Sequence, residues 1–183
     1  MNKELREIKK INREIERAIL FLLHSCFDGN EKPRKLKTTK PLVMHSLRIV
    51  FKLLNYGYSK EVVMGAMFHD LIEDAGVSLE DVKKRFGSRV AKLVSACSFD
   101  ETISDQTKRY KELYGRVKKA GHDAFVVTCA DILDNSDYFR FSKKQARLLK
   151  KWKYFLNLAK EDIQNEPIYQ ELKNNLRKIS SLR

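Results

Sequence analysis

The chain has 183 residues, of which 43% are apolar and 33% charged. That length can bury a core without disulfides, and that composition excludes a disordered, collagen-like or disulfide-stapled chain. No stretch approaches the roughly 20 apolar residues of a membrane span, and the charged N-terminus, MNKELREIKKINREIER, has no apolar region that would make it a secretory signal peptide.

The net charge of +13 is uneven: +5 over 1–40, +1 over 41–100, zero over 101–141 and +7 over 142–183. Basic excess at the two ends is compatible with a nucleic-acid binder, with attraction of a polyanionic small molecule, or with a solvated surface. Charge runs such as Lys143, Lys144, Arg147, Lys150, Lys151 and Lys153 are most often a solvated face. Cys26, Cys97 and Cys129 are far apart, odd in number and without metal-site spacing. They read as reduced core thiols of a cytoplasmic protein.

Helical periodicity dominates the chain. Ile8, Ile11, Ile15, Ile19 and Leu22 recur at three- and four-residue steps and predict a first helix ending near Asp28-Gly29-Asn30. The polar segment Glu31–Lys40 reads as a loop. Pro41 opens a second helix carrying Leu42, Val43, Leu47, Val50, Phe51 and Leu54, which stops near Tyr56-Gly57. Ser59 is the expected N-cap of a third helix running to about Glu73. Ser78 and Asp81 resemble a capping box for a short helix that ends before Gly87. Further helices are expected around Val90–Val94, over roughly 105–119 and 123–137, after a Ser142 cap, and from Pro167. Period-two strands are not evident. The expectation is a single all-α domain.

Three pieces carry chemistry. One is His45. The second is His69-Asp70-Leu71-Ile72-Glu73-Asp74, delivered by the apolar run Val62–Phe68. The third is Asp131 with Asn135 one turn later, delivered by the apolar run Ala124–Ala130. A lone histidine among apolar neighbours is more often structural than a ligand, and a carboxylate at a helix end often meets solvent. An imidazole and three carboxylates at the end of a buried segment are harder to explain, because they need pairing, hydrogen bonds or a cation. Mixed imidazole and carboxylate donors suit Mn, Fe or Zn better than soft metals.

The ordered set His45…His69-Asp70…Asp131 resembles the HD-domain metal-dependent phosphohydrolases. His69-Asp70-x-x-Glu73-Asp74 is more specific and is similar to the hydrolase domain of RelA/SpoT-type alarmone enzymes and their small stand-alone hydrolases. His24 before a loop with Arg34-Lys35, then Pro41 and His45, fits that subfamily, as do Phe86-Gly87 opening a helix and Ala130-Asp131-x-x-x-Asn135. The match spans about 18–140 as a hydrolase core. The basic helices of about 142–183 form an extension with no room for a synthetase segment. The resemblance implies one divalent metal, usually Mn²⁺, on His45, His69, Asp70 and Asp131. It implies that Glu73 and Asp74 orient or deprotonate water, and that Arg34, Lys35 and Asn135 meet the nucleotide. The implied reaction removes pyrophosphate from the 3′ position of (p)ppGpp.

The chain departs from that pattern at Ala75 (usually Thr), Ser46 (Pro), Leu42 (aromatic), Thr128 (Lys), Ile132 (basic) and Asp134 (His or Tyr). Several of these are expected near the nucleotide. They leave open another substrate, a ppApp-type alarmone or a nucleoside monophosphate. Tyr138, one turn beyond Asn135, has two readings, a ring that stacks on the nucleotide and an ordinary packed tyrosine, and the second is the expectation. A nucleic-acid-binding protein ranks below both enzymes, because the basic excess spares the motif-rich middle. No membrane partner is expected.

Overall fold

The computed structural model describes residues 3–27 and 42–181. In chain order it contains α1 (Lys3–Cys26), α2 (Leu42–Asn55), α3 (Lys60–Phe68), α4 (Leu71–Asp74), α5 (Leu79–Phe86), α6 (Ser88–Cys97), α7 (Gln106–Ala120), α8 (His122–Ser136), a 3-10 turn (Phe139–Phe141), α9 (Gln145–Ile163) and α10 (Pro167–Ser181). The all-α expectation holds. Arg34, Lys35 and Pro41 lie outside the described residues.

The caps explain where the elements start. Ser59 Oγ accepts from the backbone N–H of Val62 at the head of α3. At the head of α5, Ser78 Oγ accepts from Asp81 N at 3.0 Å and donates to the Asp81 carboxylate at 2.7 Å. Both satisfy N–H groups that a helix start otherwise leaves open.

Helices α3 and α8 form the centre. The run Val62–Phe68 is buried throughout, and so is Ala124–Ala130. Helix α3 packs against α1, α2, α6 and α8, and α8 packs against α2, α6, α7, α9 and α10. Gly65 permits the α3–α6 approach: a Cβ built there would lie 3.0 Å from Leu93 Cβ. The three cysteines are buried thiols outside any disulfide, and burial pushes the Cys97 thiol up to about 12. Helices α9 and α10 bury Trp152, Phe155 and Ile163, and Ile168, Leu172 and Leu176. Among the described residues no helix is long and apolar enough to cross a membrane.

Two expectations are corrected. The predicted helix from Ser59 to Glu73 is divided at His69-Asp70. There His69 Nδ1 donates to the Ala66 carbonyl at 2.7 Å, and Ser98 Oγ donates to the His69 carbonyl at 2.6 Å. Side chains thus take two carbonyls that an unbroken i→i−4 ladder would use. Ser142 does not cap α9: its hydroxyl accepts from Lys144 N at 3.1 Å in a local turn, and the helix starts at Gln145. The inward face of α2 is Leu42, His45, Ser46, Ile49, Val50 and Leu53, whereas Phe51 is 62% exposed. The first helix likewise buries Ile15, Ala18, Leu22 and Cys26 and leaves Ile8 outside.

Candidate metal centre

Three helical segments converge on one point. Helix α2 brings His45, the junction of α3 and α4 brings His69 and Asp70, and α8 brings Asp131. One donor atom from each lies within 4.8 Å of all the others. His45 Nε2 stands 3.2 Å from Asp131 Oδ1 and 3.3 Å from Asp70 Oδ2. His69 Nε2 stands 3.4 Å from Asp131 Oδ1 and 3.2 Å from Asp70 Oδ1. Both histidines and Asp70 are buried, and Asp131 is partly open to solvent.

The far side of each imidazole decides its tautomer. His69 Nδ1 faces the Ala66 carbonyl at 2.7 Å, and a carbonyl only accepts. His45 Nδ1 faces Asp134 Oδ2, also at 2.7 Å. With the proton on Nδ1, each Nε2 directs a lone pair at carboxylate oxygens. Both Nε2 atoms are buried and make no hydrogen bond. Lone pairs and carboxylates pointed at one another repel unless a proton or a cation lies between them. Burial pushes His45 down, but Asp131, Asp134 and Asp70 outweigh it and lift its pKa to about 11. Burial likewise opposes charge on His69, and Asp70 and Asp131 lift it to about 9. The donor set therefore fits a divalent cation: two imidazole nitrogens with fixed tautomers and two carboxylates, buried except at Asp131.

Glu73 adjoins this cluster. It is half-buried, and its Oε1 accepts from the backbone N–H of Phe99 at 2.6 Å. Burial pushes its pKa up to about 7, the Phe99 N–H draws it back, and Asp70 adds to the rise. Asp74 ends α4 half-buried. Asn135 Nδ2 donates to Asp131 Oδ1 at 2.6 Å, so this side chain orients a candidate ligand.

Two residues at the site were missed as partners of His45. The sequence marks Asp134 only as a departure from the resembling pattern and does not mark Arg48. Arg48 Nε donates to Asp134 Oδ1 at 2.6 Å and Nη2 to Oδ2 at 2.8 Å. Burial works against charge on Asp134, but Arg48 and His45 hold its pKa below the usual carboxylate range. The signal was spacing: each follows a candidate ligand by three residues, one helical turn. Ser98 and Phe99 carried no comparable signal. Thr128, Ile132 and Asp134, expected near a nucleotide, are all buried, with Thr128 Oγ1 turned to Cys97 Sγ.

The model of the HD domain matches residues 29–125, and the chain belongs to that family. The guanosine-3′,5′-bis(diphosphate) 3′-pyrophosphohydrolase of Aquifex aeolicus is 36% identical over 105 residues, which are 55% of this chain and 14% of that protein. The guanosine-3′,5′-bis(diphosphate) 3′-pyrophosphohydrolase MESH1 of Drosophila melanogaster is 28% identical over 116 residues, 62% of this chain and 64% of that one. The chain thus spans less than two thirds of either relative. A solved metazoan ortholog of SpoT, described as hydrolysing ppGpp, superposes with a TM-score of 0.74 at 21% identity, covering 90% of this chain and 94% of its own. A Listeria monocytogenes structure gives 0.66 at 22% identity, covering 78% and 99%. At those identities the likeness is one of fold.

Proposed function

We propose that the chain is a metal-dependent phosphohydrolase that converts (p)ppGpp to GDP or GTP plus pyrophosphate. The convergence of His45, His69, Asp70 and Asp131 within 4.8 Å carries this reading. The activities named for the Aquifex and Drosophila relatives support its substrate. The proposed ion is Mn²⁺, in keeping with mixed nitrogen and oxygen donors. Bound there, such an ion would supply positive charge to a phosphoryl group and lower the pKa of a water molecule.

The protein's own residues account for the rest. Glu73, with its pKa raised to about 7, is suited to take a proton from the attacking water near neutral pH. In the proposed reaction the water oxygen bonds to phosphorus, the bond from phosphorus to the 3′ oxygen breaks, and that oxygen takes a proton from bulk water to leave as a hydroxyl, while Glu73 returns its proton to solvent. Asp74 is assigned to orienting the water. Asn135 holds Asp131 and is assigned to the nucleotide through the resemblance. Arg34 and Lys35, outside the described residues, are assigned to the nucleotide through the resemblance alone. We assign about 18–140 to a hydrolase core and about 142–183 to a basic helical extension. Three buried cysteines outside any disulfide favour a reducing, cytoplasmic setting.

The test is ion chromatography of products from Mn²⁺-loaded protein mixed with ppGpp and, separately, ppApp. GDP plus pyrophosphate is the expected result. Cleavage of ppApp alone would replace guanine by adenine in the proposal. A folded, metal-loaded protein that leaves both intact over a wide enzyme range overturns it.

A further inference from the structure

Helices α2 and α8 face each other through two matched pairs. His45 and Arg48 lie one turn apart on α2, and Asp131 and Asp134 one turn apart on α8. The His45 ring spans both aspartates, with Nε2 3.2 Å from Asp131 Oδ1 and Nδ1 2.7 Å from Asp134 Oδ2. Arg48 closes the arrangement with two bonds to Asp134, and its guanidinium lies 5.4 Å from the centre of the Tyr138 ring.

We propose that Arg48 and Asp134 are a positioning pair that fixes the His45 tautomer and thereby sets the metal affinity of the site. The inference rests on the metal reading above and is independent of which nucleotide is cleaved. Asp134 is 7% exposed, so an ionised carboxylate there needs partners. Three N–H donors meet its two oxygens, two from Arg48 and one from His45. A carboxylate acceptor at Nδ1 keeps the proton on that nitrogen and leaves the Nε2 lone pair for a cation. The charges also balance. Asp70, Asp131 and Asp134 surround His45 with three negative charges; Arg48 offsets one, and a divalent cation the other two. Asp134 without Arg48 would add repulsion to an already acidic cluster.

The experiment titrates Mn²⁺ into the full chain and its variants, reading free ion by electron paramagnetic resonance, with circular dichroism to verify folding. Asp134→Asn is expected to weaken Mn²⁺ binding roughly 10–100-fold, and Arg48→Met to weaken it by a smaller factor. A pair that only braced α2 against α8 would lower the melting temperature of the metal-free protein and leave the affinity alone. Wild-type affinity in folded Asp134→Asn overturns the inference. Should that variant not fold, Arg48→Met decides, since its side chain is 36% exposed; unchanged affinity there overturns the inference equally. A wild-type chain that binds no Mn²⁺ overturns both this inference and the metal reading, which separates the two failures.

Discussion

His69 donates its Nδ1 proton to the carbonyl of Ala66, three residues earlier in the same segment, at 2.7 Å. This one bond does two things. It ends α3 at the His-Asp pair, and it aims Nε2 of His69 at Asp70 and Asp131. The helix break is therefore how a wholly buried segment delivers a ligand. His69→Ala removes the donor atom and the bond together, and Asp70→Ala removes the carboxylate facing both imidazoles. Each is expected to weaken metal binding by more than about 100-fold, since even outer partners of a ligand contribute roughly 10–100-fold. Metal content by mass spectrometry and turnover of ppGpp should fall together. Retained turnover in either variant would sink the ligand assignment.

Glu73 tests the chemistry apart from the metal. Glu73→Gln keeps the shape and the acceptor for the Phe99 N–H but removes the base. Metal content should stay at the wild-type level while turnover drops about 10²–10⁴-fold. The base must be ionised to act. With its pKa lifted to about 7 by burial, the wild-type rate should fall as pH drops below 7. A bound cation nearby lowers that pKa, so the falling limb lies at or below pH 7. A pH profile with the same limb in Glu73→Gln would remove Glu73 from the mechanism.

Protons and metal compete for the same lone pairs. The metal-free pKa values of His45 and His69, about 11 and about 9, lie above the ordinary 6.5. A raised histidine pKa means stability that is fully present below pH 6.5 and is lost as pH climbs through the folded-state values. The metal-free protein should thus melt at a lower temperature at pH 9 than at pH 6.5. Metal binding must displace both protons, so about two should be released per ion below pH 9. Calorimetric titrations in buffers of different ionisation enthalpy read this number directly. Release of no protons at pH 7 would contradict the tautomers and the charge state assigned to the two rings.

Much of this was legible in the sequence, for local reasons. Ser59, Ser78 and Asp81 act within one helical turn, so their caps could be read without a fold. The runs Val62–Phe68 and Ala124–Ala130 are apolar on every side, which leaves burial as the only outcome. Helix α2 was harder, because apolar residues occupy both of its faces. Ile49 and Leu53 go inward while Phe51 goes outward, and only the packing against α3 and α8 decides. The partnership of Arg48 with Asp134 bridges 86 residues, and the one-turn spacing of each from a candidate ligand is its local trace. From sequence alone the departures at Thr128 and Ile132 suggest changes in a nucleotide pocket, whereas both side chains are core positions.

The approach of α3 to α6 gives a prediction for stability. Gly65 lies in the interior of α3, where alanine would ordinarily favour the helix by roughly 0.5–1 kcal/mol. Here a Cβ would meet Leu93 Cβ at 3.0 Å and Cδ1 at 3.3 Å. The first of these is a branch point near the backbone and cannot swing aside, so overpacking of about 1–3 kcal/mol should outweigh the helix gain. Gly65→Ala is expected to lower the melting temperature by a few degrees, at roughly 2–4 °C per kcal/mol for a chain of this size. The strain also bears on the site. Helix α6 is followed directly by Ser98, which donates to the His69 carbonyl, so pushing α3 from α6 loosens the junction holding His69 and Asp70. Mn²⁺ affinity should fall along with stability. Leu93→Ala costs about 2–5 kcal/mol by itself through the cavity it leaves. In the double variant the two costs should be less than additive, because the alanine methyl at 65 partly fills the space that Leu93 vacates. Thermal melts of the four proteins measure the coupling. Strict additivity would show that the two residues do not share that space.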